Sequence, residues 1–358
     1  MTTAADYQQL QAMRELPPLA SCTGTRVLWS GAAVGIGSQL HSMVDSLTHA
    51  LSMGASFDTE ATCFRRRSPW LQCAPNATGT ATQNPCAARR RDGPAGRRTC
   101  LACYFVPLAR CNRTASADDV TLERNQANFS FAAVEPWRSV APLARGVFWA
   151  YATLASRLLR PNAALQASAE RAAARHLRWG AGQPYLGLQM RTGDKKIEAP
   201  VHATDEYLSA VLHMARVTGV RNVFVSGSLS DAEKRDTVCA PAERAGLLCA
   251  YVPATEAAAY GCPASAIMGF LVDVLLLRDA DALVGTLSSN VGRLAYELSA
   301  ARLGRLPTFH DMDNAFWYAA GDGFATSDIY NKVYGRGVHG AAAKGRGGGA
   351  EWKHIELR

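Results

Sequence analysis

From residue 185 onward the chain alternates short apolar runs with stretches of helix length, and this alternation constrains the fold more than any other feature. Residues 185–190, 222–225, 247–252 and 282–284 read as strands, and residues 205–217, 264–277 and 290–301 as helices. Strands separated by helices of about a dozen residues require crossover connections, and therefore a parallel, doubly wound α/β sheet. In such sheets ligands collect at the carboxyl ends of the strands. Upstream, Arg26-Val-Leu-Trp29 reads as a strand, residues 30–37 as a glycine-rich turn, and residues 38–53 as a helix. In that helix Leu40, Met43, Val44, Leu47, Ala50 and Leu51 repeat with the spacing of one buried stripe. Helical pattern returns at 149–160, stopped by Pro161, and at 164–179.

A chain of 358 residues fits two domains. We place a polar lead at 1–24, a first α/β lobe at 25–178, a second, Rossmann-like lobe at 179–320, and a Gly/Ala-rich tail at 321–358. Between about 63 and 113 periodicity gives way to Arg, Pro, Gly and Cys, which reads as an insertion outside the core.

The net charge of +8 is concentrated in that insertion, at Arg65–Arg67, Arg89–Arg91 and Arg97–Arg98. Aromatic residues do not interleave with these arginines as they do on nucleic-acid platforms, so nucleic acid is not an expected partner. Of ten cysteines, Cys63, Cys73, Cys86, Cys100, Cys103 and Cys111 lie there too, and disulfides are the natural reading. Cys100 and Cys103 lack a second metal-ligand pair at zinc spacing, so no metal is expected. Asn76, Asn112 and Asn128 each begin an N-glycosylation acceptor sequence, which with the cysteines favours the secretory pathway. The N-terminus shows no signal pattern and no run of about 18 apolar residues occurs, so membrane attachment is expected only through an anchor outside this sequence.

Four places carry candidate chemistry. Gly35 and Gly37, followed by Ser38, stand where a strand hands over to a helix, where backbone N–H groups meet phosphate or simply turn tightly. Gln189-Met-Arg191-Thr-Gly-Asp194-Lys195 leaves the carboxyl end of a strand; Arg191 offers a planar fork for a diphosphate, or pairs with Asp194. Glu198 in the following loop is a candidate base, and His202 either joins it or starts the next helix. Asp273 interrupts an apolar helical run, where a lone carboxylate is costly. It needs either the two N–H donors of a guanine edge or a protein partner such as Arg293, with Ser288 and Ser289 at the next strand end nearby.

Taken in order, these stretches resemble the alpha-1,6-fucosyltransferases of glycosyltransferase family 23. Gly35-Ile-Gly-Ser-Gln-Leu-His41 resembles that family's first glycine segment and Leu159-Arg-Pro161 its mid-chain Arg-Pro. Arg191-Thr-Gly-Asp-Lys195 resembles its basic motif, Asp273 through Glu297 its last long motif, and Phe309-His-Asp-Met-Asp313 its closing one. The resemblance implies a GT-B-like fold of two Rossmann-like lobes with a cleft between them, and inverting, metal-independent transfer of fucose from GDP-fucose to a glycan or glycoprotein in the Golgi lumen. It implies Arg191 on the β-phosphate, Gly37 and its neighbours along the diphosphate, Asp273 with Ser289 on guanine, and Glu198 as base, with Asp194 and Lys195 in the catalytic motif.

Departures accompany the likeness. Gln189 replaces the motif's His, Thr192 its second Arg, and Ser228-Leu229 an acidic pair. Glu198 aligns with the family's base only if one residue is deleted between Lys195 and it, and two family cysteine pairs fall at Val34 with Ser38 and at Gly285 with Gly292. No counterpart of the family's SH3-like domain is expected. The rival expectations are a transferase of the same architecture with another acceptor or GDP-sugar, such as a protein O-fucosyltransferase, and a glycan-binding homologue without turnover.

Overall fold

The computed structural model describes residues 25–29, 36–52, 55–57, 104–106, 120–122, 147–180, 182–191, 201–254 and 264–313. The first half contributes β1 (Arg26–Trp29), α1 (Ile36–Ser52), β2 (Ser56–Phe57), β3 (Val120–Leu122), α2 (Val147–Leu158) and α3 (Ala163–His176). Its three strands form a parallel sheet in the order β2-β1-β3. The second half runs β4 (Leu186–Met190), α4 (Thr204–Thr218), β5 (Asn222–Gly227), α5 (Asp231–Glu233), a π-helical segment (Lys234–Cys239), α6 (Ala240–Arg244) and β6 (Leu248–Ala250). It continues through α7 (Ala264–Asp279), β7 (Ala282–Gly285), α8 (Asn290–Leu303) and β8 (Thr308–Asp311).

The expected parallel sheet is present, with five strands in the order β6-β5-β4-β7-β8. The chain winds outward from β4 through β5 to β6, then returns to the other side of β4 for β7 and β8. The junction between β4 and β7 is therefore the topological switch point, where ligands of open α/β sheets bind.

Side-chain alternation sorts the two faces. Leu186, Leu188 and Met190 of β4 pack with Val223, Val225, Ala282 and Val284 beneath Tyr207, Val211 and Met214 of α4. Tyr185, Phe224 and Leu283 face the other way, into a cluster with α7 and α8. That cluster also contains Val27 and Trp29 of β1, Leu40, Met43, Val44 and Leu47 of α1, and Leu154, Ala155 and Leu158 of α2. One apolar core therefore serves both sheets. Gly219 and Gly304 close α4 and α8 in the left-handed conformation that a side chain resists.

One expectation is corrected by the packing. Residues 63–113 lie mostly outside the described residues, but Tyr104 and Phe105 are buried in the shared core rather than outside it. Backbone hydrogen bonds fix them: Val106 N–H donates to Arg160 at 2.8 Å and Asn162 N–H donates to Tyr104 at 2.8 Å. The strands β2, β3 and β8 and the helical run from α5 to α6 were not anticipated.

A polar seam runs through the core where α1, α2 and α8 meet. His41 Nδ1 lies 3.0 Å from the Gly37 carbonyl oxygen and Nε2 lies 3.2 Å from the Glu297 carboxylate. The Tyr151 hydroxyl donates to the His41 carbonyl at 2.9 Å, and the two rings stack with centroids 5.7 Å apart. The imidazole thus links α1 to α8 through the Glu297 carboxylate. Burial pushes the Asp45 carboxyl up to about 7, against the pull of His41 and the Tyr151 hydroxyl.

The sign of the resulting pH dependence is fixed. An unfolded chain ionises Asp45 near its ordinary value of about 4, whereas the folded chain holds the proton to about 7. Wild-type stability therefore falls through that window and levels off above it. In thermal melts from pH 5 to 8, Asp45→Asn should gain on wild type as pH rises to about 7 and then hold its lead. A difference independent of pH would show that the folded protein already ionises Asp45.

Candidate functional site

The carboxyl end of β4 places Gln189 and Arg191 at the switch point. Gln189 is 5% exposed; its amide nitrogen donates to the Met190 carbonyl at 3.2 Å, while its Oε1 meets no hydrogen-bond partner among the described residues. Arg191 follows as the first residue beyond the strand, part-buried, its backbone N–H donating to the buried Tyr207 hydroxyl at 3.2 Å. Burial raises that hydroxyl's pKa, so it stays protonated near neutrality.

Across the switch point, residues 286–289 link β7 to α8, and the carboxylates that follow β8 pin this loop. Leu287 N–H donates to Asp311 at 3.2 Å and Ser288 N–H to Asp313 at 2.7 Å. Burial first, and the charge of Asp313 second, lift the Asp311 carboxyl to about 7. With those two amides occupied, the free donors are those of the first turn of α8. Ser289 occupies the N-cap position with a fully buried side chain, yet its hydroxyl neither caps the helix nor meets any partner among the described residues. The N-terminus of α8 is thus positive, uncapped by a side chain, and next to a hydroxyl held in reserve.

The first turn of α1 comes to the same place. Gly37 packs so closely that a Cβ on it would lie 3.1 Å from Asn290 Cβ and 3.4 Å from the Val291 backbone nitrogen. Asn290 ties the two helices together: its amide donates to the Ser38 hydroxyl at 2.5 Å, and its oxygen accepts from Arg293. Two helix N-termini therefore converge, each favouring an anion by about 0.3–1 kcal/mol at an exposed site and more when partly buried.

Asp273 projects from α7 toward the carboxyl end of β5, where it accepts the Ser226 hydroxyl at 2.8 Å. Ser226 is in register with Gln189, so Asp273 stands on the same edge of the sheet as the rest of the site. Burial lifts its carboxyl to about 6, opposed by the nearby Lys234 ammonium and the Ser226 hydrogen bond. Its protein partner is thus Ser226, while Arg293 turns to Asn290. His202 stands at the start of α4 between two carboxylates, 3.3 Å from Glu206 and 3.5 Å from Asp313.

The structure thus brings Gly37, Ser38, Gln189, Arg191, Ser288 and Ser289 to one edge, with Asp273 beside them. Gly35, Asp194, Lys195 and Glu198 lie outside the described residues. Asn290, the link between the two helices, was missed; nothing local marks it, because its role arises only from the approach of Gly37. Among the described residues no group of three or more His, Cys, Asp or Glu side chains is arranged to hold a metal ion.

Residues 143–317 match a family model described as alpha-(1,6)-fucosyltransferase N- and catalytic domains. The likeness read from the sequence motifs is therefore borne out over the segment that builds the five-stranded sheet. No curated protein matches the chain. Similar solved structures include POFUT1 in complex with GDP, at 9% identity and a TM-score of 0.46, covering 81% of this chain and 99% of that one. They also include the fucosyltransferase NodZ from Bradyrhizobium, at 14% identity and a TM-score of 0.42, covering 81% and 97%. A mutant of Arabidopsis thaliana FUT1 in complex with GDP matches at 12% identity and a TM-score of 0.46, covering 84% and 73%.

Gly292 provides a test of the site's packing. A Cβ there would fall far inside contact distance of the Thr286 carbonyl and 3.0 Å from Gln189 Oε1. Gly285 and Gly292 stand where the resemblance puts a cysteine pair, and the backbone has closed into the space. Gly292→Ala should therefore destabilise by about 1–3 kcal/mol, read as a lowered melting temperature. An unchanged melt would mean that the α8 turn has slack.

Proposed function

We propose that this chain transfers fucose from GDP-fucose to a glycan, with position 6 of the innermost N-glycan sugar as the acceptor hydroxyl. The observation that carries the reading is the convergence of the α1 and α8 N-termini beside Gln189, two residues before Arg191, at the switch point of a sheet built by the segment with the fucosyltransferase pattern.

The chemistry follows from that charge distribution. The acceptor oxygen attacks the anomeric carbon of fucose as the bond from that carbon to the diphosphate oxygen breaks, so configuration inverts. Negative charge grows on the departing diphosphate, which the Arg191 fork and the helix amides meet. Glu198 takes the proton of the acceptor hydroxyl. Asp273, freed from Ser226, accepts the paired N–H groups of guanine, and the Ser289 hydroxyl finds its partner on the nucleotide. Every charge in this scheme is met by the chain itself, so we propose transfer without a metal ion.

The disulfide between Cys239 and Cys249 supports synthesis in an oxidising secretory compartment, for which we propose the Golgi lumen. No helix among the described residues is long and apolar enough to cross a membrane.

Calorimetric titration with GDP and a GDP-release assay with N-glycan acceptors test the reading. Arg191→Ala should cut release by about 100-fold or more. Because Arg191 lies part-exposed beyond a strand end, its loss should leave the melting temperature nearly unchanged. GDP binding without release on any glycan or protein acceptor would leave a nucleotide-binding homologue without turnover. A large loss of stability in Arg191→Ala would make that residue structural.

A further inference from the structure

Lys234 opens the π-helical segment and is 6% exposed, a rare state for a lysine without a counter-ion. Its ammonium lies over the Tyr251 ring, 5.7 Å from the centroid, and makes no hydrogen bond or ion pair with any described residue. Two carboxylates bear on this corner. Asp231 is engaged by the Ala254 N–H at 2.9 Å, and among the described residues Asp273 accepts only the Ser226 hydroxyl. With a ring face beneath it and no hydrogen-bond acceptor among the described residues, the ammonium has protons to offer a ligand.

Its position is also specific. The helical run carrying Lys234 leaves the carboxyl end of β5, and Tyr251 follows the carboxyl end of β6. The ammonium therefore stands at the ligand-binding edge of the sheet, and its charge acts on Asp273. The backbone around it is held in place: Lys234 N–H donates to the Ser230 carbonyl at 2.9 Å, and Cys239 at the end of the π segment is cross-linked to Cys249 in β6. Single π turns are frequent where a side chain serves a site.

We propose that Lys234 is a specificity-determining residue for the base of the donor nucleotide, donating to the guanine O6 while Asp273 accepts from N1–H and N2–H. The proposal rests on the nucleotide-donor reading above and adds a second reader to it. Guanine presents one acceptor followed by two donors along that edge, the complement of an ammonium followed by a carboxylate. Adenine presents an amino group where the ammonium needs a lone pair and a ring lone pair where the carboxylate needs a proton. The pair therefore rejects adenine through unmet polar groups, the strong form of discrimination.

Lys234→Met keeps the length of the buried stem and removes the charge. Titration of both proteins with GDP and ADP should show wild type preferring GDP by about 100-fold or more, in line with such discrimination. The variant should lose about tenfold in GDP affinity while ADP affinity stays the same, and its ligand-free melting temperature should hold or rise. Wild type should also bind 6-thio-GDP, whose sulfur is a weak acceptor, about tenfold less tightly than GDP, a comparison that needs no variant. Unchanged GDP affinity in Lys234→Met, equal losses for GDP and ADP, or equal affinity for GDP and 6-thio-GDP would overturn the role of Lys234 while leaving the donor reading in place. A wild-type protein that binds neither GDP nor ADP would overturn both.

Discussion

The first turns of α1 and α8 touch at Gly37 and Asn290, and the site depends on that touch. With no Cβ at Gly37 the backbones close to contact distance, and Asn290, held by Arg293 of its own helix, bridges them through Ser38. Below the contact the same helices are held by His41 with Glu297 and by the apolar residues Leu40, Met43, Val44 and Leu47. The two helices come from different sheets, so the electrostatic focus at their ends is a product of the shared core. Packing sets the position, and backbone dipoles supply the field.

The loop after β7 shows a complementary economy of donors. Asp311 and Asp313 occupy the Leu287 and Ser288 amides, which fixes the loop and leaves the α8 turn facing outward. Ser289 holds the N-cap position without capping, so its hydroxyl and the helix amides present one polar surface. A helix start left uncapped inside a folded chain is a cost that a bound anion relieves.

Much of the second half was legible in the sequence because its periodicities are long and clean. The spans read as strands at 185–190 and 282–284 and as helices at 205–217 and 290–301 match β4, β7, α4 and α8 to within one or two residues. The strand β8 escaped because Thr308-Phe-His-Asp311 does not alternate; its place comes from pairing with β7. Tyr104 and Phe105 escaped because the Arg and Cys around them set the local composition, whereas two large aromatic side chains are enough to seat a short stretch in a core. Asp273 could be read as a carboxylate in need of a partner. Ser226 could not be read as that partner, since the match depends on how β5 lies against α7. Lys234 was equally silent, because nothing in a run of Glu, Lys, Arg and Asp marks which member turns inward.

The link between Cys239 and Cys249 has a bearing on how the folded chain behaves in company. Strand β6 is three residues long and forms one border of the five-stranded sheet, with Leu248 exposed on it. A short border strand frays readily, and an unzipped border offers β5's backbone to any neighbouring chain. Closing so small a ring contributes roughly 3 kcal/mol in the chain-entropy account, enough to keep β6 zipped. One covalent stitch thus guards the sheet's open margin against intermolecular pairing at high protein concentration.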